Sequence, residues 1–209
     1  MWPAKILRKL GAVFHKYREI DMLKNSLIIS VLAVMLFSAC ASNKSEPKKM
    51  YTHKEFMNMT LCVGMSDTAR YVATKKSEGT PIAQMKSFYA NKEGASLNLA
   101  TVDKVYSEKV SGVWEYSVSF FNECAQNLSN VPANRVNFAG YCMQRSMIAD
   151  VAHGYREAGN SKQAAQQALS GFKGQATLTI IDNVYASKKG RVQEKLDEWN
   201  LCMEPITAK

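Results

Sequence analysis

Residues 62–79, CVGMSDTARYVATKKSEG, and residues 142–159, CMQRSMIADVAHGYREAG, are the two stretches whose reading decides the fold. Aligned on Cys62 and Cys142 without a gap, each has an alanine seven residues on (Ala69, Ala149), a base at fourteen (Lys76, Arg156) and a glycine at seventeen (Gly79, Gly159). Further along, Leu99 and Val102-Asp103-Lys104-Val105-Tyr106 match Leu178 and Ile181-Asp182-Asn183-Val184-Tyr185 after a one-residue deletion. Phe121-Asn122-Glu123-Cys124 then matches Trp199-Asn200-Leu201-Cys202 after one more. Three blocks in the same order are the signature of an internal duplication, with 52–130 as the first unit and 131–209 as the second.

The punctuation inside each unit is helical. Thr52 followed three residues later by Glu55 is a capping box, opening a helix whose apolar stripe runs Phe56, Met59, Cys62, Met65, Ala69, Val72. Gly79 stops it, and Thr80-Pro81 supplies an N-cap and a first-turn proline for a second helix reaching about Ala90. In the second unit Pro132 and Asn134 open a helix over about Val136 to Glu157, Gly159 closes it, and Asn160 or Ser161 caps Lys162 to Leu169. A third helix carries Leu99 to Tyr106 and its partner Leu178 to Tyr185. The fourth element is ambiguous by itself, because Trp114, Tyr116, Val118 and Phe120 alternate with polar residues as in a strand. Its counterpart resolves it: Val192, Leu196, Trp199 and Cys202 fall at helical spacing, and so do Trp114, Val118, Phe121 and Cys124. The expected fold is all-α, two tandem units of about four helices each.

Both units follow an N-terminal address. The apolar run Leu27 to Phe37 is eleven residues, about half of what a bilayer-spanning helix needs. Lys24 precedes it and Phe37-Ser38-Ala39-Cys40 ends it, the order of a cleavable signal peptide over residues 1–39. Those four residues resemble the lipobox of bacterial lipoproteins. The resemblance implies that Cys40 takes the lipid and becomes the first residue of the mature chain, anchoring it to a membrane. A start at Met22 gives a signal of ordinary length, which leaves 1–21 as an upstream leader. Residues 40–51 read as a polar, Pro-containing tether. With Ala rather than Asp at position 41, the lipoprotein resemblance points to the outer membrane, facing the periplasm.

The 209-residue chain carries 27 Lys and Arg against 18 Asp and Glu, a formal +9, but residues 1–39 hold six of the bases and two of the acids, so the remainder is only +5. That charge and the export signal together argue against a nucleic-acid partner. The composition also excludes collagen, coiled coil and general disorder.

Apart from Cys40, four cysteines remain, and in an exported chain disulfides are their expected state. Three pairings are open. The duplication selects Cys62 with Cys124 and Cys142 with Cys202, each tying the first helix of a unit to its last. No two of these cysteines are close in sequence, and only His53 and His153 accompany them in the mature part, so neither a metal site nor a cofactor is expected. His153 stands where the first unit has Ala73, and an exposed or rim position is expected for it. Lys76 with Asp103, and Arg156 with Asp182, recur in both units as candidate structural ion pairs or caps. Methionines 57, 59, 65, 85, 143 and 147 sit at core spacing. The glycines at 171 and 174 lack phosphate-loop order.

The unit as a whole, Cys, Ala, base and Gly, then Asp-x-Val-Tyr, then aromatic-Asn-x-Cys, resembles a small exported domain of bacteria and phages, over residues 62–202. That resemblance implies a disulfide-stapled helical fold and no particular activity. Lys76 departs from its usual Arg. No catalytic set is present: Glu115, Glu123, Asp197 and Glu198 read as solvated charges. The expected role is a lipid-anchored module binding another envelope or exported protein, of inhibitor, immunity or exclusion type. A structural envelope lipoprotein without a specific partner is the competing reading.

Overall fold

The computed structural model describes residues 49–172 and 174–208, so the expected signal peptide, Cys40 and the expected tether up to residue 48 lie outside the described residues. Eight α-helices account for most of them: α1 (His53–Ser77), α2 (Ile82–Tyr89), α3 (Ala95–Ser107), α4 (Val113–Ser129), α5 (Ala133–Glu157), α6 (Lys162–Ala168), α7 (Gln175–Ala186) and α8 (Arg191–Met203). Four fall in each half, and the fold is all-α. Among the described residues no helix is long and apolar enough to cross a membrane.

Local chemistry sets the boundaries. The Thr52 hydroxyl accepts the Glu55 N–H while the Glu55 carboxylate accepts the Thr52 N–H at 2.7 Å, a reciprocal cap worth about 1 kcal/mol. Gly79 and Gly159 adopt φ of 83° and 74°. In both places the glycine N–H and the next N–H fold back onto the helix, Thr80 onto Lys75 and Asn160 onto Tyr155, which only a left-handed residue permits at low cost. Ser161 caps α6 through the Ala164 N–H. Pro81 is itself the N-cap of α2, with ψ of 145°, so the helix starts one residue later than a first-turn proline would have it. The fourth element is helical throughout, because α4 lays Ser117, Phe121 and Ala125 inward at helical spacing.

Three apolar cores follow. A distal core packs α2 and α3 on the second half of α1, through Val72, Ala73, Met85, Val102 and Val105. Its counterpart packs α6 and α7 on α5, through Ala149, Ala152, Ala165, Ile181 and Val184. The third is shared: Met59, Cys62 and Val63 of α1 and Phe121 and Ala125 of α4 meet Val136, Cys142, Met143 and Met147 of α5 and Trp199 and Met203 of α8. Phe56 stacks on Trp199 at 6.1 Å between ring centres, Phe121 meets it edge-on at 5.9 Å, and the Trp199 indole N–H donates to the Thr60 hydroxyl. The described residues accordingly cluster as one compact unit.

Both disulfides lie in that shared core. Cys62 pairs with Cys124 and Cys142 with Cys202, with Cα atoms 5.7 and 5.5 Å apart. Each closes a loop of about 60 residues, a constraint on the unfolded chain of about 4 kcal/mol in the entropy model.

The expected tether ends sooner than residue 51. Met50 and Tyr51 join the body, their N–H groups donating to the Ile206 carbonyl while the Ala208 N–H donates to the Tyr51 carbonyl. Tyr51 is buried, and its hydroxyl donates to the Arg135 carbonyl. The Arg135 guanidinium stands 5.7 Å over the Tyr51 ring and bonds Glu55 at 2.8 Å. An aromatic ring at that point gains more from burial than a tether gains from freedom.

Candidate binding grooves

In both halves the third helix is held against the first by the same pair of contacts. The Lys76 ammonium donates to the carbonyls of Val105, Tyr106 and Glu108 at 2.9, 3.2 and 2.6 Å. Arg156 donates to those of Val184, Ser187 and Lys189. Each cation thus serves the last carbonyls of a helix, where the helix dipole is negative. The Tyr106 hydroxyl donates to the Thr80 carbonyl, and Tyr185 donates to those of Asn160 and Ser161. Lys76 therefore does not pair with Asp103, nor Arg156 with Asp182. Asp103 takes Lys86 at 2.6 Å and Asp182 takes Lys162 at 2.9 Å, tying the second helix of each half to its third. The bases are drawn away because unsatisfied helix carbonyls lie nearer to them than the carboxylates do.

That scaffold leaves a groove beside the third and fourth helices of each half, and the two linings differ. In the N-terminal half a cavity of about 290 Å³ is walled by Leu61, Met65, Leu97, Phe120, Cys124 and Leu128, with Lys104, Glu123 and Asn127 at its edge. Leu61, Leu97 and Leu128 are each more than 40% exposed. Lys104 is held at the edge by Glu108 at 2.6 Å and Glu123 at 3.1 Å. Glu108 also accepts the Tyr116 hydroxyl at 2.7 Å, and these hydrogen bonds keep its carboxyl below its ordinary value.

In the C-terminal half a cavity of about 470 Å³, which shares only Asn183, Glu198 and Leu201 with the positions matched to that groove, carries the carboxylates Glu194, Asp197, Glu198 and Glu204, with Asn183, Ser187 and Asn200 between them and Lys189 as the lining cation. At the positions matched to Met65 and Phe120 stand Arg145 and Glu198, hydrogen-bonded to one another through the guanidinium Nε at 2.6 Å. Burial pushes the Glu198 carboxyl above its ordinary value against the pull of Arg145. Asp197 goes the other way, lowered by its hydrogen bonds from Lys189 and Gln193. Glu115 and Glu123 are exposed, as solvated charges are, but Glu198 is only 7% exposed and corrects that expectation. Helical spacing marks its position as core; the charge there is taken up by Arg145 from the neighbouring helix.

A third concavity of about 410 Å³ lies where the halves meet, along α1, α5 and α8. Asp150 is buried on its floor, accepting from Arg191 at 2.7 and 2.8 Å and from Arg70. Burial opposes its ionisation, but the two guanidinium groups outweigh it and hold its carboxyl below its ordinary value. Asp67 pairs with Lys195 of α8, though its own burial prevails and raises its carboxyl. Arg70 and Asp150 occupy matched positions, eight residues after Cys62 and Cys142. The two halves thus meet through one position that carries opposite charge in each.

His153 is buried at 3% exposure, contrary to the expected rim position. It keeps the inward register of Ala73, and its Nε2 lies 3.2 Å from the Lys189 carbonyl oxygen. His53 is exposed. Met59, Met85, Met143 and Met147 are core, Met65 lines the apolar groove, and Met57 points outward at 53% exposure. Among the described residues no three His, Cys, Asp or Glu converge closely enough to hold a metal ion. Glu194 and Arg145 are the functional candidates that sequence reading passed over. A charged residue at an inward helical position is the signal that could have found both. No family model matches the chain, and no curated protein or solved structure matches it either.

Proposed function

We propose that the chain is a lipid-anchored envelope protein that acts as a protein-binding module, of the inhibitor, immunity or exclusion kind. Its lipid sits on Cys40 and its body stands off an outer membrane on the segment before Met50. The observation that carries the reading is the apolar groove of the N-terminal half. Leu61, Leu97 and Leu128 remain exposed around it, whereas the C-terminal half places the ion pair of Arg145 and Glu198 at the positions matched to Met65 and Phe120. The same scaffold therefore does not oblige a leucine-walled groove, and exposed apolar walls with a polar edge suit the buried centre of an interface with another envelope or exported protein. A photo-crosslinking residue at Leu97 should give one discrete protein adduct in the intact envelope, lost when Leu61→Asp is added. Equal labelling from a control site such as the exposed Gln84, or no adduct at all, would remove the reading. Cys40→Ser should abolish lipid labelling and block processing, leaving a soluble or signal-anchored precursor.

A further inference from the structure

The acidic cavity of the C-terminal half contains a carboxylate that the fold leaves unsatisfied. Glu194 is 8% exposed, and its Oε1 is buried without a hydrogen-bond partner. The nearest cation, Arg156, stands 3.8 Å away, beyond hydrogen bonding, with its guanidinium already given to three backbone carbonyls. Buried carboxylates are ordinarily paired and hydrogen-bonded, so this one marks a place where an N–H donor belongs. Around it the lining holds four carboxylates against the single ammonium of Lys189, which Asp197 binds at 2.5 Å. Arg145 offsets Glu198 from behind. The cavity, at about 470 Å³, lies in the range of small-ligand sites.

Architecture does not require these acids. The positions matched to Glu194 and Glu198 in the N-terminal half are Tyr116 and Phe120, where the tyrosine hydroxyl reaches Glu108 and the phenylalanine is buried among apolar neighbours. We propose that the cavity binds an organic cation, a primary amine or a guanidinium, with Glu194 as its principal acceptor. A metal ion fits less well, since it needs ligands converged on one point, and no such group exists among the described residues. Ammonium and guanidinium donors radiate and can reach carboxylates set further apart. The cation is either a free amine or the side chain of a lysine or arginine on a docked protein. The inference is independent of the apolar groove and survives or fails without it.

Calorimetric titration of the oxidised protein tests it with three probes: spermidine, Nα-acetylargininamide, and a terminally blocked hexapeptide whose one charge is an arginine, with Nα-acetylcitrulline amide as the uncharged control. Saturable binding of a free amine assigns a small cation, and saturation by the peptide alone assigns a protein side chain. In either case Glu194→Gln should weaken binding about tenfold, the loss of one charge-assisted hydrogen bond. Asn183→Asp, on an exposed residue at the mouth, should tighten binding and tests the site without touching the core. Leu97→Asp should leave it unchanged. Failure of every probe to saturate, equal binding of Nα-acetylcitrulline amide, or indifference to both cavity variants overturns the proposal.

Discussion

Met65 and Phe120 in one half, Arg145 and Glu198 in the other, occupy matched places beside matched disulfides, and both pairs are largely buried. The first lines an apolar groove; of the second, Glu198 reaches the acidic cavity of its half. What stays constant around them is the set of contacts that satisfies the backbone: a cation on the last carbonyls of the third helix, a tyrosine hydroxyl on the loop before the second helix, and a left-handed glycine ending the first. The contrast teaches that the helix arrangement of each half is specified by its caps and staples. A buried site between its helices can take either a hydrophobic pair or an ion pair of similar volume, because the ion pair supplies its own hydrogen bonds.

The contrast holds only if the halves stand on a common foundation, and Trp199 tests that most severely. It is fully buried and touches α1, α4 and its own helix. Trp199→Ala should cost about 3 to 5 kcal/mol in urea unfolding, and amide protection should fall in α1 and α4 as well as in α8. Retention of full protection in residues 52–130 would mean that the N-terminal half folds alone. Removing one staple, with Cys142→Ala and Cys202→Ala together, should cost roughly 2 to 4 kcal/mol. Because the staple sits in the shared core, proteolysis should open both halves rather than one; a resistant N-terminal fragment would again separate them.

Much of this arrangement is legible in the residues. The capping box at Thr52, the glycines at 79 and 159 and the cysteine spacing each have a local physical cause, and helix, turn and disulfide follow from it. What escapes sequence reading depends on a neighbour from elsewhere in the chain. Phe56 and Val136 look like parts of separate stripes until Trp199 and Met147 bring them to one core. His153 reads as a rim residue because histidine is polar, yet its register is that of Ala73. Glu198 reads as solvated because its counter-ion Arg145 lies 53 residues away. The acidic cavity was hidden for the same reason, as Glu194 and Glu198 sit at inward positions where periodicity anticipates apolar side chains.

The exchange between ion pair and apolar pair can be made directly. Arg145→Met alone should destabilise by about 3 kcal/mol or more, leaving the Glu198 carboxylate buried without its partner. Adding Glu198→Phe, which recreates the pair of the N-terminal half, should recover that loss and make the protein as stable as the wild type or more stable by ~1 to 2 kcal/mol. The double variant measured by urea unfolding decides whether the two sites are interchangeable. A double variant no better than the single one would show that the C-terminal groove has been shaped around its charges.

The smallest effect, and the one that isolates the acid itself, is in the pH dependence. Burial raises the folded-state pKa of Glu198 above its unfolded value, so the folded protein holds that proton after the unfolded chain has lost it. Between the unfolded pKa, about 4.3, and the higher folded value, the native state binds more protons, and stability attributable to Glu198 falls as pH rises. Asp150, Glu108 and Asp197 have lowered values and act oppositely, so their contribution is complete above the unfolded pKa and is lost on acidification. The total curve therefore mixes both signs, but the difference between wild type and the double variant, Arg145→Met with Glu198→Phe, cancels the residues they share. That difference should move in favour of the variant as pH is raised from about 4 through the window just above the unfolded value, and then level off. A difference that moves the other way would mean that Arg145 holds the Glu198 carboxylate ionised more strongly than burial opposes it, and the second groove would then be a stabilising ion pair rather than a charged substitute for the first.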